Sequence, residues 1–313
     1  MAVVLVGVGT VWEMDDLAEA VGDRGSDPIR RSVTDWPGAP LAAAPGDDEF
    51  VLGAGLDYDD IEGAYFHAPA LFRPKGVGYL DGFEVDDEIE PALDKLRDHR
   101  RVFESLCRIF ESRGIDVLPR LHNHHLEQRM LWQLDRFERA GIPVPDTVFT
   151  NDPDEARAFC DRHERAIYKP VSEGAPPSEV TDADLADDRL ENLRTAPVQF
   201  QEFVPGEDLR VYVLDGEVVG AIRYDSERFS FKLDVMAGET VHAEGATVSA
   251  GIEESAVRAA EVMDLTFGAA DVRRRPDGGH ALLELNQAPA FAAADSEAGQ
   301  RVTDAVAGHL TDG

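Results

Sequence analysis

The segment Asp271-Val272-Arg273-Arg274-Arg275-Pro276-Asp277-Gly278-Gly279-His280-Ala281-Leu282-Leu283-Glu284-Leu285-Asn286 decides how this chain is read. Its middle, Arg275 to His280, concentrates the Pro, Asp and Gly residues that close β-hairpins. A hairpin centred on Asp277-Gly278 sets position 271 opposite position 284. Directly opposed residues share one face of a sheet, about 5 Å apart at Cβ. Asn286, two residues further along, points to that same side, and Leu283 and Leu285 point to the other. Two carboxylates and an amide oxygen, completed by water and phosphate oxygens, suit hard Mg²⁺ far better than zinc. The competing reading is an exposed hairpin whose carboxylates face solvent, and other motifs must decide between the two.

The chain has 313 residues, 43% of them hydrophobic, enough for two or three packed units. Its 62 acidic residues against 30 basic give a formal charge of -32, which argues against nucleic-acid backbones and anionic membranes as partners. Only four lysines occur, at 75, 95, 169 and 232, so arginine supplies the other basic residues. Abundant acid with scarce lysine fits a salt-rich cytoplasm, where counterions screen self-repulsion. The first residues, Met1 to Gly7, have no basic prelude and soon reach Glu13, Asp15 and Asp16, so they read neither as a signal peptide nor as a membrane span. Cys107 and Cys160 fall inside helical patterns, as expected of buried, reduced thiols.

Val3 to Val6 reads as a buried strand and Asp15 to Val21 as a short helix behind it. Gly7-Val8-Gly9 between them is explained by a tight turn without any dinucleotide. Residues 35 to 60, rich in Pro, Gly and Asp, predict short strands. A helix follows over 86 to 113, with Ile89, Leu93, Leu96, Phe103, Leu106 and Phe110 as its apolar stripe and Gly114 as its cap. His122, His124 and His125 invite a metal reading, but adjacent histidines diverge on helix and strand alike, so a helix start or an active-site rim is expected there. The helix over about 125 to 140 carries Leu126, Met130, Leu131, Leu134 and Phe137. Beyond Pro145, strands at 147–150, 166–170, 198–204 and 208–214 interleave with helical segments. A loop at 174–178 and a short helix or loop at 181–190 separate the second and third of these strands. Asp215-Gly216 turns the last into a hairpin with 217–223, and a helix at 253–263 turns Ala256, Ala260 and Met263 inward. The chain therefore reads as an α/β region followed by an α+β region.

Laid end to end, Gly141-Ile142-Pro143-Val144-Pro145-Asp146-Thr147, Tyr168-Lys169-Pro170, Gln201-Glu202-Phe203-Val204-Pro205-Gly206, Asp208-Leu209-Arg210 and the metal hairpin resemble the ATP-grasp superfamily. The resemblance is to its branch of RimK-type glutamate ligases and glutathione synthetase, and it covers roughly residues 115 to 292. It implies an N-terminal α/β pre-ATP-grasp domain at 1–114 and an ATP-grasp domain at 115–313, with a lid subdomain at about 147–204. It also implies ATP with one or two Mg²⁺ ions, Mn²⁺ being an alternative, and carboxylate and amine substrates that are small molecules or peptides. The implied reaction passes through an acyl phosphate, and it could attach an amino acid such as glutamate.

By the same resemblance, Lys169 reaches nucleotide phosphates, Glu202 and the Val204 backbone edge the adenine, and Asp208 takes the ribose hydroxyls. Arg210 steadies charge on the transferred phosphate, Lys232 lies in the same cofactor site, and Asp271, Glu284 and Asn286 hold the metal. This sequence also departs from the family. The usual glycine- and serine-rich lid loop is here Ser172 to Ser178 with one glycine, two prolines and an acid. Met130 stands where a second phosphate-binding lysine is usual. Lys232, Asp234 and Ala237 stand where arginine, asparagine and often a basic residue are usual. A nucleotide-binding protein without ligase activity, and a phosphoryl transferase or hydrolase, are the readings that compete with a ligase.

Overall fold

A computed structural model describes residues 1–7, 12–32, 40–67, 89–171, 176–226 and 228–312. Val8-Gly9, residues 86–88 and Ser172 to Ala175 of the expected lid loop lie outside the described residues.

The chain opens with β1 (Ala2–Gly7), α1 (Trp12–Asp23), β2 (Asp27–Ser32), β3 (Leu41–Ala43), β4 (Glu49–Leu52), β5 (Ala54–Asp57) and β6 (Ile61–Phe66). Then come α2 (Ile89–Ser112), β7 (Asp116–Leu118) and α3 (Met130–Arg139). β1 is an unbroken apolar run buried along its whole length, as a central parallel strand must be when both its faces are covered. It pairs in parallel with β2 and β6, and β7 completes the sheet in the order β2-β1-β6-β7. That sheet therefore continues past residue 114. The short strands expected from the Pro/Gly/Asp-rich stretch form a separate antiparallel sheet, β3-β4-β5. Phe103, Leu106 and Phe110 of α2 are buried against the first sheet, and Gly114 ends the region with φ 80.

The middle of the chain comprises β8 (Thr147–Thr150), α4 (Pro153–Arg162), β9 (Ala166–Pro170), β10 (Ser178–Glu179), α5 (Asp187–Leu190) and β11 (Val198–Glu202). Its strands make an antiparallel sheet ordered β10-β9-β11-β8. Side chains alternate along these strands. Ala166 and Phe200 join Phe159 of α4 and Leu190 of α5 in an apolar core, with Tyr168 packed against it, and this leaves Ile167, Lys169, Gln199 and Gln201 on the opposite face.

The last third holds β12 (Glu207–Leu214), β13 (Glu217–Asp225), α6 (Phe231–Met236), β14 (His242–Gly245), α7 (Ala250–Val262), β15 (Phe267–Arg274), β16 (His280–Asn286), α8 (Ala292–Ser296) and α9 (Val302–Thr311). Five antiparallel strands run β14-β13-β12-β15-β16. Asp215 (φ 51) and Gly216 (φ 76) form the tight two-residue turn between β12 and β13 that their sequence predicts. One face of this sheet, with Val211, Val213, Ala270 and Leu285, packs on α7 and α3. Ala256, Ala260 and Met263 point into that core as expected. Two details of α3 differ from the sequence expectation. The helix starts at Met130, after a 3₁₀ turn at Leu126–Gln128. Leu131 is 60% exposed, because it lies a residue out of phase with the buried stripe of Met130, Leu134 and Phe137.

The other face of the five-stranded sheet changes character along its length. Tyr212, Leu214, Phe267 and Ala269 are core, packed with α1, α8, α9 and one side of the first sheet. Further along the same strands stand Asp208, Arg210, Asp271 and Arg273.

Candidate functional site

The charged end of that face and the Lys169 face of the β8–β11 sheet enclose a cavity of about 340 Å³. Lys169, Asp208, Lys232, Asp271, Glu284 and Asn286 all line it. A smaller cavity of about 50 Å³ adjoins it through Ile167, Gln201, Asp208 and Leu283, and Glu202, Phe203 and Val204 form its wall. Eight of the nine residues assigned from the sequence thus line these two adjoining cavities. Arg210 lines neither cavity and stands beside Asp271, its cross-strand partner.

The hairpin delivers the expected pairing by a different route. Asp271 does oppose Glu284, and Asn286 lies two residues on, opposite Ala269. The turn, however, is centred on Asp277, with Arg274 opposite His280 and Val272 opposite Leu282. An extra residue, Leu283, then bulges from β16 and restores the Asp271–Glu284 pair. The consequence is a correction to the sequence expectation. Leu285 is in the core as predicted, but Leu283 lines both cavities, because a bulge places two consecutive side chains on one side.

Lys232 on α6 shows that the two carboxylates converge. Its Nζ is 2.5 Å from Glu284 Oε1 and 3.4 Å from Asp271 Oδ2. Lys169 Nζ approaches Glu284 Oε2 at 3.7 Å. Burial would raise the Glu284 carboxyl, yet Lys232 and Lys169 beside it hold it well below the usual carboxylate range. Burial would likewise lower the Lys232 ammonium, but Glu284 and Asp271 raise it instead. Asp208 lies 3.4 Å from Arg273 Nε and accepts a hydrogen bond from the Phe231 amide at 3.2 Å. Burial is the larger effect there and leaves its carboxyl above the usual value despite Arg273. Glu202 pairs with Arg275 at 2.8 Å, which fixes the end of β11 against the hairpin turn.

The donor set fits a hard divalent cation: two adjacent carboxylates and an amide, all lining the same cavity. Asn286 lines the cavity with those carboxylates, so its amide oxygen is available to a cation there, while its buried and unpartnered Nδ2 donor suits an anionic ligand oxygen instead. The fit to a nucleotide rests on the lysines above those carboxylates and on the narrow slot by Glu202 to Val204.

Sequence reading missed three residues of this site. Leu283 was hidden by the bulge. Arg273 was detectable, because it lies two residues from Asp271 on the same face and opposite Asp208. Gln199 was detectable too, as it shares the alternation of Gln201 and pairs with Lys169 across β9 and β11. The three histidines do not converge. His124 is buried with its ring nitrogen 3.1 Å from the Pro119 carbonyl, and burial depresses its pKa.

The RimK-like ATP-grasp domain matches residues 131–309, more than half of the chain. A probable alpha-L-glutamate ligase of Shewanella pealeana is 25% identical over 235 residues, which are 72% of this chain and 51% of that protein. One from Xanthomonas euvesicatoria pv. vesicatoria is 30% identical over 180 residues, 54% of this chain and 60% of that protein. This chain thus spans about half the length of the first of these relatives. Among solved structures, the ATP-grasp ligase PsnB complexed with a phosphomimetic variant of minimal precursor, Mg and ADP superposes with a TM-score of 0.85 at 25% identity, over 99% of this chain and 97% of that one. The macrocyclase MdnC from Microcystis aeruginosa MRC, at 17% identity and a TM-score of 0.82 over the full length of both chains, shares the fold. On the matched domain and the superposed fold together, the chain belongs to the RimK-like ATP-grasp family.

Proposed function

We propose that this protein is an ATP-dependent carboxylate–amine ligase that works through an acyl phosphate. The observation that carries the reading is the position of Lys232, whose Nζ contacts both Asp271 and Glu284 in a cavity that Lys169 also lines. Phosphate-binding cations and metal-binding carboxylates meet there at one point between two sheets. The glutamate-ligase names of its relatives and the peptide-bound neighbours support a carboxylate acceptor on a small molecule or a peptide, and an amino acid such as glutamate as the amine.

In this reading Val204 and Glu202 edge the adenine, Asp208 meets the ribose, and Lys169 and Lys232 hold the phosphates. Asp271, Glu284 and Asn286 would hold one or two Mg²⁺ ions, which would neutralise charge between nucleotide, substrate and acidic protein. The substrate carboxylate attacks the terminal phosphorus of ATP and releases ADP. The amine then displaces phosphate from the acyl phosphate and forms an amide. No protein nucleophile takes part, so positioning and charge neutralisation supply the acceleration. Arg210 acts from beside Asp271, whose carboxylate it holds in place. The chain divides at about residue 114 into a pre-ATP-grasp unit and an ATP-grasp unit whose lid spans about 147–204, with β7 joining the first sheet just past that edge. No described helix is long and apolar enough to cross a membrane, and the charge of -32 suits a salt-rich cytoplasm.

One observation favours a second reading. Met130, 4% exposed, puts an apolar side chain in the cavity wall where the family carries a lysine, as expected of a nucleotide binder that has lost ligation. Purified protein in high salt with Mg²⁺ separates the two. A ligase releases ADP only when a carboxylate and an amine are both supplied. Release without an amine indicates hydrolysis or another phosphoryl acceptor, and nucleotide binding with no ADP release indicates the binder. Glu284→Gln and Asn286→Ala should abolish release with an unchanged fold by circular dichroism; full activity in both refutes the metal assignment.

A further inference from the structure

We propose that Gln199 is a phosphate-binding donor of the nucleotide site, acting from the β9–β11 wall of the cavity that Met130 also lines. The proposal rests on the nucleotide reading of the cavity and adds a residue to it. β9 and β11 pair antiparallel with Ile167 opposite Gln201 and Lys169 opposite Gln199. These two cross-strand pairs are two residues apart, about 7 Å along the strands. The first pair borders the small slot formed with Glu202, Phe203 and Val204. The second lies beyond it in the larger cavity, level with Lys169 and on the metal side.

The two glutamines are engaged differently. Gln201 donates its amide to Thr147 Oγ1 at 3.0 Å. Gln199 is only 1% exposed, lines the cavity, and its Nε2 has no partner. A buried amide donor left unmade is costly, and native proteins keep such groups where a ligand completes them. Lys169 beside it supplies a point charge, and a neutral amide adds a directed donor without repelling that ammonium. An anionic oxygen at the level of Lys169 satisfies both side chains at once. This compensates for the absence of a basic residue at Met130.

Calorimetric titration of adenosine and ADP into wild type, Gln199→Leu and Gln199→Glu tests the assignment, with thermal unfolding as the control for folding. Loss of a donor to a charged oxygen should weaken ADP roughly tenfold or more in Gln199→Leu, and further in Gln199→Glu, with adenosine affinity unchanged. Wild-type ADP affinity in Gln199→Leu overturns the proposal and leaves the nucleotide reading intact. Equal weakening of adenosine and ADP also overturns it, by moving Gln199 to the base or to a structural role. A wild-type protein that binds neither compound sinks the nucleotide reading and this proposal together.

Discussion

Arg210 grips Asp271 with both arms of its guanidinium, Nε to Oδ1 at 2.8 Å and Nη2 to Oδ2 at 3.1 Å. Side-chain exposures of 11% and 7% make this a nearly buried ion pair. Burial opposes the charge on Arg210, but Asp271 overcomes it and raises the guanidinium well above its ordinary value. Arg210→Met should therefore cost up to about 3–5 kcal/mol, because it removes the forked partner of a buried carboxylate and leaves only the Lys232 ammonium at 3.4 Å. Arg210→Lys should recover little of that, since an ammonium cannot make the two-pronged contact. The double variant Arg210→Met/Asp271→Leu should regain much of the stability while staying inactive. Denaturant unfolding of the three proteins checks this, and an Arg210→Met protein as stable as wild type would show that the fork does not hold the hairpin.

Lys232 leads to a prediction about ion competition. Its ammonium stands between the two carboxylates, where a cation without nucleotide would have to bind. Removing that charge with Lys232→Met should tighten nucleotide-free Mg²⁺ or Mn²⁺ binding by about tenfold or more, since a unit charge at this range is worth several kcal/mol even when screened. The same substitution should weaken ADP binding, as a phosphate partner is lost. Titrations of Mn²⁺ followed by electron paramagnetic resonance, with and without ADP, would show the opposed shifts. Parallel weakening of both ligands would contradict the competition.

Much of this site was legible because it depends on local rules. Turn residues and strand alternation were enough to place Asp271, Glu284 and Asn286 together. Leu283 was not legible, since a regular hairpin and a five-residue turn with one bulge give the same Asp271–Glu284 pair but opposite faces for the residue before Glu284. The partner of Arg210 was out of reach for another reason. Alternation offers Asp208 as its neighbour, whereas the register of β12 on β15 pairs Arg210 with Asp271, and about sixty residues of intervening chain set that register. Burial of Arg273 with Asp208 follows from the same register.

Gly206 joins the Glu202–Val204 slot to β12 and has φ 133, a backbone conformation open to glycine. A Cβ there would lie 2.0 Å from the Arg274 carbonyl oxygen and 2.8 Å from its carbonyl carbon. Gly206 also accepts a hydrogen bond from Arg273 Nη1 at 2.7 Å, so displacing it disturbs the partner of Asp208. Gly206→Ala should lose about 2 kcal/mol or more of stability through strain and backbone clash. It should weaken adenosine as well as ADP, unlike a change confined to the phosphate end. Denaturant melts and nucleotide titrations together test this, and a neutral substitution would mean that the slot tolerates movement.

His309 on α9 ties three parts of the chain together. Nε2 lies 2.8 Å from Asp116 of β7, and Nδ1 lies 2.7 Å from Asp215 in the β12–β13 turn. The bond to Asp116 raises the imidazole pKa; burial opposes this, and Asp215 adds to the rise. A raised folded value means that the charged ring favours the native state. Its contribution is complete below the ordinary histidine value of about 6.5 and is lost as pH climbs through the folded value. Asp116 behaves in the opposite sense. The His309 bond lowers its carboxyl, so its share is present above the ordinary carboxylate range and is lost as acid brings the pH down through the lowered value. The thermal-stability advantage of wild type over His309→Gln should therefore be largest near pH 6 and shrink by about pH 9, with only weak salt sensitivity because the ring is 13% exposed. An advantage that stays constant across that range would mean that His309 acts by packing alone and carries no charge in the clamp.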